Sequence, residues 1–192
     1  MDKLKERAKS FERLMDIQYR IVLGRKGVIT ELIVDFSPSE FQHLIGLHKL
    51  TDVFQRRYSS EKLYKKCLYE RLTYDELLKS SNFSSVKNRF EYFLYLENIL
   101  DSNKTVFKCN NRYLKSFSKI ESDFMMKTEF DEKLFYVFLE RRTLYDNFYC
   151  KSFINDDEVD YAYSQTSMTL LRKEKIHKRT GKTDILFDRK NV

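Results

Sequence analysis

The hydrophobic pattern of this chain changes its period near Lys104, and that change limits the folds available to it. Before this point apolar residues recur every three or four positions; in residues 2–18, for example, Leu4, Ala8 and Phe11 would share one face of a helix. After it, apolar and polar residues alternate, which is typical of half-buried strands. The sequence therefore predicts an α+β fold, with helices in the first half and an antiparallel sheet in the second.

Start and stop signals give approximate bounds for the predicted elements. Gly24 predicts the turn of an early hairpin, and Pro38 after Ser37 predicts the first turn of a helix. Further helices are predicted at 59–72, 74–79 and 84–100, and strands at 19–23, 28–36, 105–108, 122–130, 133–141, 147–154 and 167–173. Short connections such as Asp131 and Glu132 require antiparallel neighbours. N-terminal helices and a hairpin should thus precede an antiparallel β-meander of four to five strands.

The length of 192 residues fits one domain with a full hydrophobic core. One Pro and four Gly leave little room for long irregular linkers, so the elements should be joined closely. We divide the predicted single domain, residues 1–192, into an N-terminal helix and hairpin at 1–36, a core at 37–175 and a basic tail at 176–192.

The three cysteines, Cys67, Cys109 and Cys150, are widely spaced and form no paired motif. Their odd number is typical of a reducing cytosol and not of a disulfide framework. The first residues are charged without an apolar signal region, and no stretch has the length of a membrane span. We therefore expect a cytoplasmic protein that does not bind a membrane.

Basic charge is concentrated at the two ends of the chain. The formal net charge is +7, yet residues 1–26 alone carry +4 and residues 171–192 carry +5, so the middle of the chain is slightly acidic. Basic ends favour an anionic partner such as nucleic acid if both fold onto one face. The C-terminal cluster that would contact a phosphate backbone includes Lys173, Lys175, Lys178 and Arg179. A solvated basic tail accounts for the same charges equally well.

The three histidines restrict imidazole chemistry to His43, His48 and His177. His43 and His48 are five residues apart, so a straight helix would turn their side chains about 140° away from each other. Gly46, between them, would permit a bend or the close approach of another segment. Both positions also edge apolar stripes, so a partly buried structural role is the alternative to catalysis.

Other site chemistries find little support in the motifs. The spacing of His43 and His48 is not the i, i+4 spacing of two metal ligands on one helix, and no phosphate loop, dinucleotide fingerprint or G-x-S-x-G motif is present. We predict no metal and no cofactor. Ser152 lies in FYCKSFI, where simple alternation would place it on one strand face with Phe148, Cys150 and Ile154.

Residues 41–50, FQHLIGLHKL, resemble the F-x-H-L-x-G-L-H-K-L signature of the phage-associated barnase/EndoU/colicin/RelE-like nucleases, specifically their fourth group. Later segments are similar in the same order, ending with FYCKSFI against an aromatic Y-Y-P-x-S-F-F strand. The similarity spans roughly residues 30–175. Cys150 stands where that strand has Pro, and the N-terminal helix and hairpin match no part of the family core.

The resemblance implies helices packed on a small sheet and metal-independent cleavage of RNA, in which the ribose 2′-OH attacks the adjacent phosphate. It implies His43 and His48 as base and acid in either order, Lys49 as a phosphate stabiliser and Ser152 as a hydrogen-bonding member. The expected role is a toxin or a phage or mobile-element effector, with an antitoxin or other inhibitor as a further partner. A noncatalytic RNA-binding or regulatory protein and a protein-binding adaptor are the alternatives. No oligomeric state is predicted.

Overall fold

The computed structural model describes residues 1–53, 58–69, 71–102, 105–114, 118–156 and 158–191. The chain divides into two compact units, each built from two separate stretches of sequence. The first, which we call the helical unit, comprises Met1–Met15 and Ser37–Leu96. The second, the barrel unit, comprises Asp16–Phe36 and residues 97 onward.

The helical unit consists of short helices joined by tight turns. Its helices are α1 (Lys3–Met15), α2 (Pro38–Leu44), α3 (Ser60–Leu68), α4 (Tyr74–Leu77) and α5 (Lys87–Tyr92), and its 3₁₀ turns are Leu47–Lys49, Phe83–Val86 and Phe93–Tyr95. The segment 84–100, predicted as one helix, is thus divided into several elements, and the helix predicted to begin at Pro38 ends at Leu44.

Aromatic side chains form the centre of the helical unit. Phe41 of α2 is fully buried, with its ring centroid 5.6 Å from that of Phe11 in α1 and 5.5 Å from that of Phe93. Tyr64 of α3 contacts Phe41 edge-on at 5.3 Å. Offset and edge-to-face aromatic pairs of this kind add to the stabilisation from apolar burial. They fix the orientation of α2 relative to α1 and α3.

The barrel unit contains all eight strands of the described chain. They are β1 (Ile17–Arg25), β2 (Val28–Asp35), β3 (Thr105–Lys108), β4 (Phe124–Phe130), β5 (Lys133–Arg141), β6 (Phe148–Asn155), β7 (Thr166–His177) and β8 (Thr183–Asp188), with α6 (Leu96–Ser102), α7 (Asn111–Leu114) and a last 3₁₀ turn, Arg189–Asn191. Residues 176–192, treated above as a basic tail, therefore include a strand that pairs with β7.

The sheet closes into a barrel, and the predicted meander of four to five strands is wrong in this respect. Strands pair in the order β1-β2-β6-β5-β4-β3-β7, β7 pairs back to β1, and β8 adds to β7 outside this ring of seven. The hairpin β1–β2 supplies the closure, because β1 pairs antiparallel with β7 and β2 pairs parallel with β6. Closure removes the unpaired edges that an open meander would expose. The α+β class itself is confirmed.

Both tight turns of the barrel depend on residues with positive φ. The β1–β2 turn lies at Lys26 and Gly27, with φ of 47° and 78°, and not at Gly24, which pairs with Ile29 inside the strand. Two-residue turns with both φ values positive match the right-handed twist of a hairpin. Asp131 and Glu132 form the β4–β5 turn in the same way, with φ of 52° and 58°.

Strand β5 is buried on both of its faces. Phe135 points into the barrel, where its ring stacks on that of Phe153 at 5.6 Å. Phe138 points outward and joins a second cluster, which contains Leu114 of α7 and Tyr161.

All three cysteines are free thiols. Within the described ranges, no helix is long and apolar enough to cross a membrane.

Candidate active site

Helix α2 presents His43 to solvent because its other side chains anchor it. The Glu40 carboxylate accepts hydrogen bonds from the Ser37 N–H at 3.1 Å and from the Ser37 hydroxyl at 2.9 Å, closing a reciprocal cap at the helix start. Phe41 and Leu44 are fully buried on the core side. His43 lies on the opposite side and is exposed.

Gly46 ends the helix and reverses the chain. Its φ is +89°, a left-handed conformation that L side chains rarely adopt, and a Cβ at this position would lie 2.9 Å from Val86 Cγ1. Both the backbone angle and the close approach of the turn Phe83–Val86 therefore require glycine. The 3₁₀ turn that follows places His48 beside His43, with ring centroids 4.6 Å apart. Because of this bend the two imidazole rings lie side by side, whereas a straight helix would turn the two side chains about 140° away from each other.

His48 is held in its neutral form. Its ring is half-buried, and Nδ1 makes a long contact of 3.5 Å with the Gln42 carbonyl. Burial lowers the pKa of His48 to about 4, with His43, Arg89 and Lys49 adding to the effect against the opposing influence of the Gln42 carbonyl. At neutral pH the imidazole is therefore uncharged and can accept a proton.

Two cations adjoin the histidine pair. Lys49 is exposed, and partial desolvation together with Arg89 lowers the pKa of its ammonium group. Arg89, on α5, donates from Nη1 to the His43 carbonyl at 3.3 Å. The sequence motif did not include Arg89. Its one signal was Gly46, because a glycine that permits the close approach of another segment indicates that a neighbouring segment packs there. Together His43, His48, Lys49 and Arg89 form what we call the histidine site.

Ser152 is part of the barrel unit, where a β-bulge alters the face that it occupies. Ser152 opposes Phe138, whereas Cys150 opposes the next residue of β5, Leu139. Because adjacent residues of a strand point to opposite faces, Ser152 and Cys150 do too, and the predicted shared face is wrong. The extra residue in the bulge is Lys151, whose Nζ donates to Glu140 Oε1 at 2.8 Å. Participation of Ser152 in catalysis stays a prediction.

The predicted C-terminal RNA contacts separate into two pairs. Lys173 is 1% exposed and donates to the Leu100 carbonyl, and burial lowers its pKa to about 7. Lys175 is 8% exposed, with Nζ 2.7 Å from carboxylate oxygens of both Glu97 and Asp101. Neither lysine presents a free cation at the surface, because both side chains are buried and their ammonium groups already contact oxygen atoms of residues 97–101.

The other two predicted contacts, Lys178 and Arg179, are exposed between β7 and β8. Arg179 lies 3.0 Å from an Asp16 carboxylate oxygen. At 77% exposure its side chain keeps most of its surface in water, so this ion pair is weak. These two residues are placed where a phosphate backbone can reach them.

A second cationic feature of the barrel unit was not predicted. A cavity of about 490 Å³ has the cations Arg25, Lys26, Lys108 and Arg141 in its lining, and Asp123 is the one acidic side chain among the described residues that line it. Among the residues described, no group of three or more His, Cys, Asp or Glu side chains is arranged to hold a metal ion. The prediction of no metal and no cofactor stays a prediction.

Comparison with known protein families gives one match. The family model described as phage-Barnase-EndoU-ColicinE5/D-RelE like nuclease4 matches residues 3–190. The match takes in α1 and the β1–β2 hairpin, which the similarity read from motifs had largely left out. The chain matches no curated protein and no solved structure in these comparisons. Because the match covers nearly the whole sequence, the chain belongs to the phage-associated barnase/EndoU/colicin/RelE-like nucleases, in their fourth family.

Proposed function

We propose that this nuclease is a metal-independent endoribonuclease whose reacting groups are His43, His48 and Lys49. The observation that carries the proposal is the reversal of the chain at Gly46, which brings two imidazole rings to 4.6 Å from each other. The same reversal sets them beside Lys49 and Arg89. An acid, a base and cations in one place are the groups that cleavage of a phosphodiester by an internal nucleophile requires.

In the proposed reaction the ribose 2′-OH attacks the adjacent phosphorus. A base removes the proton from O2′, the new O2′–P bond forms, and the bond from phosphorus to the leaving O5′ breaks as an acid protonates that oxygen. The products are a 2′,3′-cyclic phosphate and a free 5′-hydroxyl, so no water is consumed in this step. Lys49 and Arg89 would stabilise the charge that develops on the phosphoryl oxygens.

We assign the base to His48 and the acid to His43. The pKa of about 4 makes His48 neutral at pH 7, so its lone pair is available. A bound phosphodiester next to the ring favours the protonated imidazole and moves this pKa upward, toward the range in which a base is efficient. His43 is exposed and can exchange its proton with solvent. Rings this close leave no space between them, so the phosphate would approach their edges.

The test is cleavage of RNA by the purified chain in the presence of EDTA. We expect fragments that end in 2′,3′-cyclic phosphate, and no cleavage where a 2′-deoxynucleotide replaces the nucleotide at the cleaved position. His43→Ala and His48→Ala should each lower the rate by about 100-fold or more, the usual contribution of a general acid or base. His177→Ala is the matched control, because His177 pairs with Asp184 in the barrel unit. This variant should cleave RNA like the wild type.

Intact RNA at high protein concentration would overturn the proposal, and so would a His43→Ala variant as active as the wild type. Lys178 and Arg179 are retained as proposed RNA contacts on the grounds of their exposure. Ser152 is retained as a proposed hydrogen-bonding group. Replacing Ser152 by Ala should lower the cleavage rate without lowering stability.

A noncatalytic RNA-binding protein on the same fold is the second candidate. The observation that favours it is the pKa of His48, which lies far from the pH at which an imidazole base works best. This candidate expects RNA binding that weakens as salt increases, with no turnover by the wild type. The cleavage assay separates the two candidates directly.

We also propose that the chain acts as a toxin or a phage or mobile-element effector, restrained by an inhibitor protein. The phage-associated family supports this setting. Induced expression should arrest growth of a bacterial host, and His48→Ala should restore it. Arrest that persists in both histidine variants would contradict a toxic effect through RNA cleavage.

A further inference from the structure

A basic groove lies on the helical unit, along the solvent side of α3. It encloses about 470 Å³ and is lined by Tyr58, Lys62, Lys65, Lys66, Tyr69 and Arg71. Four cations and two aromatic rings thus meet, and none of the described residues in the lining is a carboxylate. We call these six residues the tyrosine groove.

The helical period explains why these side chains share one surface. Ser59 begins α3 by accepting a hydrogen bond from the Lys62 N–H at 3.4 Å. Leu63, Tyr64, Cys67 and Leu68 are buried in the core, which leaves Lys62, Lys65, Lys66 and Tyr69 on the outward side. Positions separated by three, four and seven residues lie in one line on a helix.

The cations of the groove are available to a ligand. No salt bridge in the described parts of the chain involves Lys62, Lys65, Lys66 or Arg71. Lys66 places its ammonium nitrogen 4.5 Å from the centre of the Tyr58 ring, which is a cation–π contact. Like charges that line one groove repel one another, and an anion bound among them would relieve that repulsion.

The two tyrosine rings of the groove remain open to solvent. Tyr69 is 65% exposed and Tyr58 is 43% exposed. An exposed aromatic face is a platform on which a nucleic-acid base can stack, whatever the base, while neighbouring lysines neutralise the phosphates. A duplex keeps its base faces covered, so this combination favours single strands.

Gln42 contacts both the first turn of α3 and the histidine site, within the same unit. Its side-chain Oε1 accepts a hydrogen bond from the Ser60 hydroxyl, in the first turn of α3, at 3.0 Å. Its backbone carbonyl contacts His48 Nδ1 at 3.5 Å. One residue therefore touches both the start of α3 and His48 of the imidazole pair, which fixes α3 and the histidine site relative to each other.

We propose that the tyrosine groove binds single-stranded RNA, with bases stacked on Tyr58 and Tyr69 and phosphates paired with the lysines and Arg71. It would hold the strand that the histidine site cleaves, and this last step rests on the proposed function. Binding itself needs neither histidine. The groove and the chemistry can therefore be tested apart.

The experiment measures binding of a short fluorescent 2′-O-methyl RNA by anisotropy, in EDTA and over a range of salt concentrations. This probe has no free 2′-OH and is not a substrate for the proposed cleavage. We expect Tyr69→Ala to weaken binding by about 10-fold, within the range for loss of base stacking on an aromatic ring, and Tyr69→Phe to bind like the wild type. The double variant Lys62→Gln/Lys65→Gln should reduce the slope of log affinity against log salt by about 1.4.

Lys79→Gln is the matched control, since Lys79 is an exposed lysine of the same unit outside the groove. It should leave both affinity and slope unchanged. Thermal unfolding of each variant checks that it folds, which we expect because every altered side chain is exposed. Wild-type binding by Tyr69→Ala and the double lysine variant would overturn the proposal. Tighter binding of a duplex, or a loss seen only with Lys108→Gln in the barrel cavity, would overturn it as well.

The outcomes also separate this proposal from the proposed function. Groove variants that weaken binding of the uncleavable probe support the groove even if the wild type cleaves no RNA. Conversely, if the wild type cleaves RNA and the groove variants bind the probe as tightly as the wild type, the groove proposal is overturned and the proposed function of the histidine site is not.

Discussion

Gly46→Ala should be the most destabilising change of a single glycine in this protein. Adopting a left-handed φ costs an L residue about 1–2 kcal/mol. The new Cβ would also lie 2.9 Å from Val86 Cγ1, and forcing extra volume into a packed contact typically costs about 1–3 kcal/mol more. The two contributions together predict a loss of about 2–5 kcal/mol, a large part of the roughly 5–15 kcal/mol that holds a domain folded.

Two other glycines supply the control for this prediction. Gly27 and Gly181 have φ of +78° and +70°, but a Cβ at either would have no atom within 4 Å. Gly27→Ala and Gly181→Ala should therefore lose only the backbone contribution of about 1–2 kcal/mol. Urea unfolding followed by circular dichroism measures all three variants. The reasoning fails if Gly46→Ala is no more destabilised than the two controls.

A second substitution isolates the steric part of the effect. Val86→Ala removes Cγ1, which a Cβ at position 46 would meet at 2.9 Å, and keeps the Val86 Cβ, which it would meet at 3.0 Å. In the Gly46→Ala background it should recover part of the lost stability, although the same change in the wild type lowers stability by emptying a packed site. If the proposed function holds, Gly46→Ala should also slow RNA cleavage, because relief of the contact displaces His48 from His43. Wild-type cleavage by a folded Gly46→Ala variant would contradict that link.

Two further predictions concern groups whose pKa is shifted in the folded chain. His48 has a pKa of about 4 when folded and about 6.5 when unfolded, so its stabilisation is complete above pH 6.5 and is lost as the pH falls toward 4. The free energy of unfolding should drop by about 1–3 kcal/mol over that interval, and the lower value allows for solvent at the half-buried ring. Urea titrations at each pH measure this drop, which His48→Gln should remove. An NMR titration that gives His48 a pKa near 6.5 would contradict the prediction. Lys173 has a pKa of about 7 in the folded chain, against an ordinary value of 10.5. Between pH 7 and 10.5 this lysine is therefore protonated in the unfolded chain and neutral in the folded chain, so the free energy of unfolding should rise with pH over that interval. Lys173→Met should abolish that rise, and a wild-type slope in the methionine variant would show that other groups cause it.

Elements governed by neighbouring residues were predictable from the sequence. The Ser37–Glu40 cap and Pro38 begin a helix through contacts made within one turn. The pair Asp131 and Glu132 left too few residues for anything except a hairpin. In such cases the deciding interactions lie within a few positions of each other, so the local pattern contains them.

Closure of the barrel lay beyond such reasoning. Strand β1 pairs with β7 from Gly24–Thr169 to Ile17–His177, across roughly 145 to 160 residues, and β2 meets β6 through Val34–Phe148 and Asp35–Tyr149. Nothing in the alternation of either strand identifies its partner, since any strand with the same apolar face fits equally well. The bulge at Lys151 is a related case, because one inserted residue exchanges the two faces without altering the composition of the strand.

The sequence brought His43, His48 and Lys49 together in one motif, but it gave neither Arg89 nor the geometry of the candidate site. The sequence placed His43, Gly46 and His48 in one motif and allowed a bend, whereas the direction of the bend depends on Val86 and Arg89, some 40 residues later. A glycine in the sequence indicates only that several backbone conformations are accessible at that position. The packing of a distant turn selects one of them.

Net charge along the sequence pointed to the ends of the chain, while the tyrosine groove lies in its slightly acidic middle. Summing charge over a segment discards the direction in which each side chain points. In β7 two lysines of a segment with net charge +5 are turned inward, where Lys175 meets carboxylates and Lys173 meets a carbonyl. In α3 the helical period instead collects Lys62, Lys65 and Lys66 on one face and leaves the apolar residues to the core. The electrostatic surface of this nuclease therefore follows from the period of each element and not from its net charge, which is why we place RNA on α3.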